Sequence, residues 1–169
     1  MVLHMAHRFQ FLFLSLILVL INGCGGVSKP EGFPNLVRPV TVKLHKDGVP
    51  LNGISVILHS KGSDLHYTVS GQTGANGVAT LQTSRGTYIM PGVPTGKYLI
   101  QLSEAFQVDI RQLSMDATPQ EAVAWQKEFD EKADKLRSFP RILGHVVNSP
   151  LEIEVASSPV AVEFDVSQY

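Results

Sequence analysis

The sequence predicts an all-β fold: an antiparallel β-sandwich of seven to eight strands with one helical insertion before the last two strands. Three observations support this prediction. Several short segments alternate apolar and polar residues, as strands with one buried face do. Turn-forming residues separate these segments, and the chain of 169 residues contains 14 Gly and 10 Pro. Only one segment shows the 3.6-residue period of an amphipathic helix.

The strand pattern occurs in eight segments. In the first, Val40, Val42 and Leu44 alternate with polar residues and predict one buried face. The predicted strands cover residues 40–45, 54–59, 66–70, 78–83, 87–90, 97–102, 151–155 and 160–166. The side chains expected in the core are Val42, Leu44, Val56, Leu58, Val155, Val162 and Phe164.

Two short sequences predict tight turns. Asp47-Gly48 is typical of a hairpin between two strands. Asn76-Gly77 is expected to need positive φ at both residues, because the chain must reverse there within a few positions.

A helix is predicted over residues 119–137. Thr118 is suited to the N-cap, Pro119 to the first helical position and Glu121 to the third. The apolar residues then recur at helical spacing, and the helix should end near Ser138 because Pro140 cannot continue it. This apolar stripe consists of Ala122, Trp125, Phe129, Ala133 and Leu136. The helix lies in an insertion over residues 103–143.

The N-terminus predicts export and a lipid anchor. Arg8 precedes an apolar run over residues 9–21, which is too short to span a bilayer but suits a signal peptide. Ile21-Asn22-Gly23-Cys24 then resembles the bacterial lipobox, with Asn22 a less usual residue at its position. The alternative is an ordinary secreted protein with a free thiol. Cys24 is the only cysteine, so no disulfide can form within the chain, and lipid explains this cysteine best.

The lipobox divides the chain into three parts. Residues 1–23 are expected to be the signal peptide, 24–38 a lipidated Gly/Pro-rich tether, and 39–169 the sandwich domain with its insertion. The predicted location is the cell envelope, with the protein held on a membrane through lipid on Cys24. Gly25 differs from the Asp of an inner-membrane retention signal, which favours the outer membrane.

The charge of the mature chain argues against a nucleic-acid partner. Arg8 is the only charged residue before Cys24, so 13 Lys and Arg would face 15 Asp and Glu. This balance is too weak and mixed for binding to nucleic acid or for an electrostatic membrane surface.

Three stretches resemble the carboxypeptidase regulatory-like, or transthyretin-like, β-sandwich domain. They are residues 46–56 (KDGVPLNGISV), 71–79 (GQTGANGVA) and 93–98 (VPTGKY). The resemblance implies a β-sandwich over about residues 39–166, apart from the insertion. Gly74 departs from it, because the family often has Asp there. Without that carboxylate, the loop lacks a possible ligand for a calcium-like ion.

The chain end adds to this resemblance. Residues 147–155 (VNSPLEIEV) are similar to the close of small planctomycete-type lipoproteins built on this domain. The hydroxyisourate-hydrolysing members of the transthyretin-like group end in Tyr-Arg-Gly-Ser, and Val166-Ser167-Gln168-Tyr169 does not match that ending.

Candidate chemistry is sparse, and we expect no enzyme, no metal and no cofactor. The mature chain has no His-x-His or His-x₃-His spacing and no Gly-x-Ser-x-Gly motif. Glu152 and Glu154 alternate with apolar residues and are expected on the solvated face of a strand. The histidines considered as metal ligands are His45, His59, His66 and His145.

The sequence therefore predicts an envelope lipoprotein with a non-catalytic binding or structural role and an unidentified ligand. The alternative is an accessory or atypical hydrolase of the envelope, and a third option is assembly through an edge strand.

Trp125 and Phe129 are the candidate partner-binding residues. As the apolar stripe of a helix they are expected to pack on the sandwich, and the sharper hypothesis is that they contact an envelope protein partner.

Overall fold

The computed structural model describes residues 28–62 and 66–169, so the predicted signal peptide, the lipobox and Cys24 lie outside the described residues. Eight of the strands in the described ranges have four residues or more. The strands are β1 Val37–Arg38, β2 Val40–Lys46, β3 Val49–Pro50, β4 Ser55–Ser60, β5 Thr68–Gln72, β6 Val78–Thr80, β7 Gln82–Arg85, β8 Tyr88–Pro91, β9 Val93–Pro94, β10 Gly96–Ser103, β11 Glu152–Val155 and β12 Val160–Asp165.

The helical elements agree with the predicted insertion. Helix α1 covers Pro119–Leu136 between β10 and β11, and 3₁₀ turns follow at Arg141–Gly144 and Val166–Gln168. No helix in the part of the chain that the structure describes is long and apolar enough to cross a membrane.

Two sheets form the sandwich. The larger has the antiparallel order β11-β10-β4-β5-β7-β8. In the smaller, β2 pairs with β12 on one side and with β3 and β6 on the other. The β12–β2 pair is parallel, with Val160 opposite Val40. A further two-stranded pair joins β1 to β9. The predicted all-β sandwich with one helical insertion is therefore confirmed.

The core lies between the two sheets, and five of its seven predicted side chains are buried: Val42, Leu44, Val56, Leu58 and Val155. Val162 and Phe164 were expected there too, but they are only partly buried against the core. The reason is their position on β12, which forms the edge of the smaller sheet and has a neighbour on one side only.

The strand predicted over residues 78–83 is two strands. β6 pairs with β2 in the smaller sheet, whereas β7 pairs with β5 in the larger one. The chain crosses between the sheets at Leu81, whose N–H donates to Val40 and whose carbonyl accepts from Gly92. Ala79, Leu81 and Thr83 are all buried, so the alternation of buried and exposed residues continues across the crossing. The sequence pattern therefore gives no sign that the chain changes sheets.

Both predicted turns form, with one difference. Asp47 and Gly48 have φ of 51° and 79°, as a two-residue hairpin loop requires. Gly77 has φ of 74°, but Asn76 does not have positive φ, so that part of the prediction is wrong. The Asn76 side chain instead accepts a hydrogen bond from Val78 N–H at 3.1 Å, which closes the turn locally.

The packed part of the chain begins before the predicted boundary at residue 39. Phe33 is buried, and its ring lies 4.8 Å from that of Tyr88 and 5.9 Å from that of Tyr67. Strand β1 then pairs with β9. The last residues of the predicted tether, from about residue 33 to 38, are therefore part of the sandwich because an aromatic contact and backbone pairing hold them there.

Candidate functional site: the helical arm

The insertion forms a hairpin that we call the arm, residues 104–138. It runs out along 104–117 and returns along α1. Ser138 N–H donates to Glu104 at 2.8 Å, Lys132 Nζ to the Asp109 carbonyl at 2.9 Å, and Trp125 Nε1 to the Arg111 carbonyl at 2.7 Å. These pairs are progressively closer in sequence, so the arm narrows toward a tip near residue 115.

Local interactions explain why α1 forms in the arm. Thr118 and Glu121 make a capping box, each side chain accepting from the other residue's backbone N–H. The Thr118 backbone N–H is the main cause of the lowered pKa of Glu121. On the exposed side, Lys132 pairs with Glu128 at 2.8 Å, four residues away.

The helix is not part of the sandwich core. Its one buried side chain is Ala133, in the last turns. Trp125 and Phe129 are half-buried and stack on each other, with ring centroids 5.3 Å apart and planes inclined by 17°. Among the described residues, neither belongs to the core cluster or to the partly buried side chains packed against it, so the expectation that they pack on the sandwich is wrong. Partner binding by these two residues stays a prediction.

The outgoing segment has the burial pattern of an extended chain and supports the helix. From Glu104 to Arg111 the side chains are alternately half-buried and exposed, which is the period of a strand. Phe106 is on the half-buried row, and the Arg137 guanidinium lies 5.5 Å from its ring centroid. Sequence reasoning missed this segment, although the alternation of Phe106, Val108 and Ile110 with polar residues was available as a signal.

A cleft of about 390 Å³ opens between the outgoing segment and the first half of α1. Trp125 lines it, together with acidic side chains and Arg111. Three large apolar side chains near the tip are exposed to solvent: Leu113 (41%), Met115 (105%) and Val123 (71%). The arm therefore presents a cleft and apolar side chains on an element whose helix lies outside the core cluster of the described residues.

The arm and the N-terminal segment meet the larger sheet at opposite ends. The arm leaves after Ser103, which is opposite Ser55. Phe33 contacts Tyr67 and Tyr88, which lie at the other end of the sheet, the end at which β10 begins. Strand β10 has 8 residues, so these ends are about 23 Å apart at ~3.3 Å per residue.

A second polar cluster lies where β12 meets β2. His45 Nε2 is 3.2 Å from Glu163, and His45 Nδ1 is 3.6 Å from Asp165. Ser167 Oγ donates to Asp165 at 2.6 Å. The carboxylate thus lies between the hydroxyl and the imidazole, whereas a nucleophilic triad needs the imidazole in the middle.

Hydrogen bonds lower the pKa of both carboxyl groups in this cluster. The Lys43 ammonium is the main cause for Glu163, and the Ser167 hydroxyl is the main cause for Asp165. Glu163 helps to hold β12 against β2, because it pairs with Lys43 on the adjacent strand.

The structure keeps the other histidines apart. His59 Nε2 lies 2.8 Å from the Gln101 side-chain oxygen, while His66 and His145 are exposed. Glu152 and Glu154 each face a lysine, Lys61 at 2.6 Å and Lys97 at 3.7 Å. Within residues 28–62 and 66–169, no group of three His, Cys, Asp or Glu side chains could hold a metal ion.

No protein-family model matches this chain, and neither the curated proteins nor the solved structures give a significant match. The resemblance to the carboxypeptidase regulatory-like domain and to planctomycete-type lipoproteins therefore stays a prediction from the motifs.

Proposed function

We propose that the protein is an envelope lipoprotein whose sandwich carries the arm as a non-catalytic binding element. Lipid on Cys24 would hold the chain on a membrane, with the outer membrane favoured. The observation that carries the proposal is that α1 buries only Ala133. The arm is held together largely by its own contacts, and Asp130 joins it to Arg141 in the 3₁₀ turn that follows.

The arm lies at the end of the sandwich away from the proposed anchor, where a partner could reach it. The lipobox precedes Phe33 by nine residues, and Phe33 is fixed at one end of the larger sheet. Because the arm leaves from the opposite end, the sandwich would separate it from the anchoring membrane by about 23 Å, the length of β10 at ~3.3 Å per residue.

The tip has the composition of a contact surface. Met115, Leu113 and Val123 are exposed, and none of them contributes to the sandwich core of the described residues. Contiguous exposed apolar patches rimmed by polar residues mark interaction sites, and we propose that these three side chains form such a patch. Long connections within compact domains are also often functional.

Site-specific photo-crosslinking in membranes tests the proposal. A photoreactive phenylalanine analogue replaces Met115 in the full chain, and the control places it at Val49, which is 64% exposed on the hairpin between β2 and β3. We expect a protein adduct from position 115 and none from position 49. Equal adducts from both positions, or none from position 115, would refute the proposal.

A further inference from the structure

The outer edge of the arm's extended segment has the properties of an unpaired β-strand. Phe106, Val108, Ile110 and Gln112 make no backbone hydrogen bond to any described residue. The carbonyls of Asp109 and Arg111 are occupied, because they accept from Lys132 and Trp125.

Strand geometry explains why the even-numbered residues are unbonded while the carbonyls of residues 109 and 111 are bonded. In an extended chain, the N–H and C=O of one residue point to the same side, and those of the next residue point to the other. Side chains of α1 therefore hydrogen-bond to the edge of the segment at which the carbonyls of residues 109 and 111 lie. The even-numbered residues present their N–H and C=O groups along the opposite edge, which is free to add a strand.

The side chains along this segment indicate which strand would fit. Asp109 and Arg111 are exposed and carry opposite charges. Each also acts on a charge of α1, since Asp109 helps to raise the pKa of Lys132 and Arg111 helps to lower the pKa of Glu121. If two copies pair antiparallel about a two-fold axis at Ile110, residue 109 of each lies opposite residue 111 of the other. Both cross-strand pairs then join opposite charges.

The backbone is compatible with this register, and the charges select it among the registers that pair even-numbered residues. With the axis at Ile110, the two Ile110 residues exchange N–H···O bonds across the dimer, and residues 108 and 112 pair in the same way. These are the even-numbered positions whose groups are free. We infer that the arm binds a second copy of this chain through an antiparallel strand pair over residues 106–114, an inference that rests on the proposed binding role of the arm.

The single native cysteine allows a direct test in the full membrane-bound chain. Two differently tagged copies, one Asp109→Cys and the other Arg111→Cys, are co-expressed and oxidised in membranes. Opposed residues at non-hydrogen-bonded positions have Cα atoms about 4.5 Å apart, within the range for a disulfide. The two-fold axis creates a second 109/111 contact between the copies, and this contact retains the native Asp109 and Arg111.

The matched control co-expresses Asp109→Cys with Gln107→Cys, an exposed position on the same row. In the inferred register this pair is displaced by four residues, about 13 Å. We expect a two-tag dimer from the 109/111 pair and little from the 109/107 pair. Equal yields, or no dimer from the 109/111 pair, would overturn the inference.

Charge reversal provides a second measurement. In sedimentation of the detergent-solubilised protein, Asp109→Arg or Arg111→Asp should each raise the dissociation constant of the dimer roughly tenfold. The double variant should restore the dimer, since the opposite charges again face each other. A double variant as weak as the single ones would refute this register.

The two proposals fail in different ways. A cross-link from Met115 to a different protein, without the 109/111 disulfide, would remove the second copy as partner and leave the arm as a binding element. If neither appears, the proposed function fails as well.

Discussion

Gly77 is a position where a single added methyl group should lower the stability of the sandwich. Its φ is 74°, and it joins the loop to β6 beside β2. The Gly77 carbonyl accepts from Leu44 N–H at 2.8 Å, and its N–H donates to Gly74. A Cβ atom at this position would lie 2.4 Å from the Leu44 carbonyl oxygen and 3.1 Å from Pro50 Cβ.

The magnitude for Gly77→Ala follows from three contributions. The left-handed conformation costs a residue with a Cβ about 1–2 kcal/mol. Relief of the 2.4 Å contact must displace β2 or β6 and weaken a hydrogen bond, at about 0.5–1.5 kcal/mol. The less flexible unfolded chain returns about 0.4–1 kcal/mol. We expect a net loss of about 0.5–3 kcal/mol in the free energy of unfolding.

Gly53→Ala is the matched control. Gly53 has φ of 79°, but a Cβ there would meet nothing within 4 Å. Only the conformational cost remains, so about 1 kcal/mol is expected. Urea unfolding of the mature protein, followed by far-ultraviolet circular dichroism, measures both variants. If the two lose equal stability within about 0.5 kcal/mol, the close approach to Leu44 has no energetic consequence and the reasoning is wrong.

Three further predictions concern the anchor, the arm and the edge strand. Cys24→Ser should give an unprocessed or soluble protein in membrane fractionation, and unchanged membrane retention would contradict the lipid anchor. Thr118→Ala should destabilise α1 by about 1 kcal/mol and speed amide exchange in its first turn, with exchange in β10 unchanged. The pKa of Glu163 is lowered in the folded state, so its stabilisation exists above the ordinary value of 4.5 and is lost as pH falls through the folded value. The melting temperature of Glu163→Gln should therefore fall less than that of wild type between pH 7 and 3, and parallel curves would refute this.

Sequence patterns predicted the parts of the fold that depend on local chemistry. The capping residues around Thr118 placed the start of α1, and Asp47-Gly48 placed the hairpin. Alternation identified the long strands because each has one buried face. These features depend on residues within a few positions of one another, and the sequence shows those directly.

The remaining features depend on contacts between distant residues. The crossing at Leu81 keeps the same alternation in both sheets, so the pattern contains no sign of it. Phe33 joins the sandwich only because Tyr67 and Tyr88 meet at that end of the sheet.

The candidate site in the arm likewise depends on contacts between distant residues, which local sequence patterns do not show. The helical stripe was clear, but a stripe does not say what it covers. Trp125 uses its indole N–H to hold Arg111 within the arm, and no local pattern indicates a hydrogen bond across 14 residues.

Deletion of residues 116–138 from the full chain, replaced by a short Gly/Ser loop, tests the central claim most directly. The helix contributes little to the core, so we predict cooperative unfolding with a melting temperature lowered by less than about 5 °C. The same deletion should abolish the 109/111 disulfide between copies, because the extended segment loses the helix that supports it. Loss of cooperative unfolding would show that the arm is part of the core, and would contradict the account.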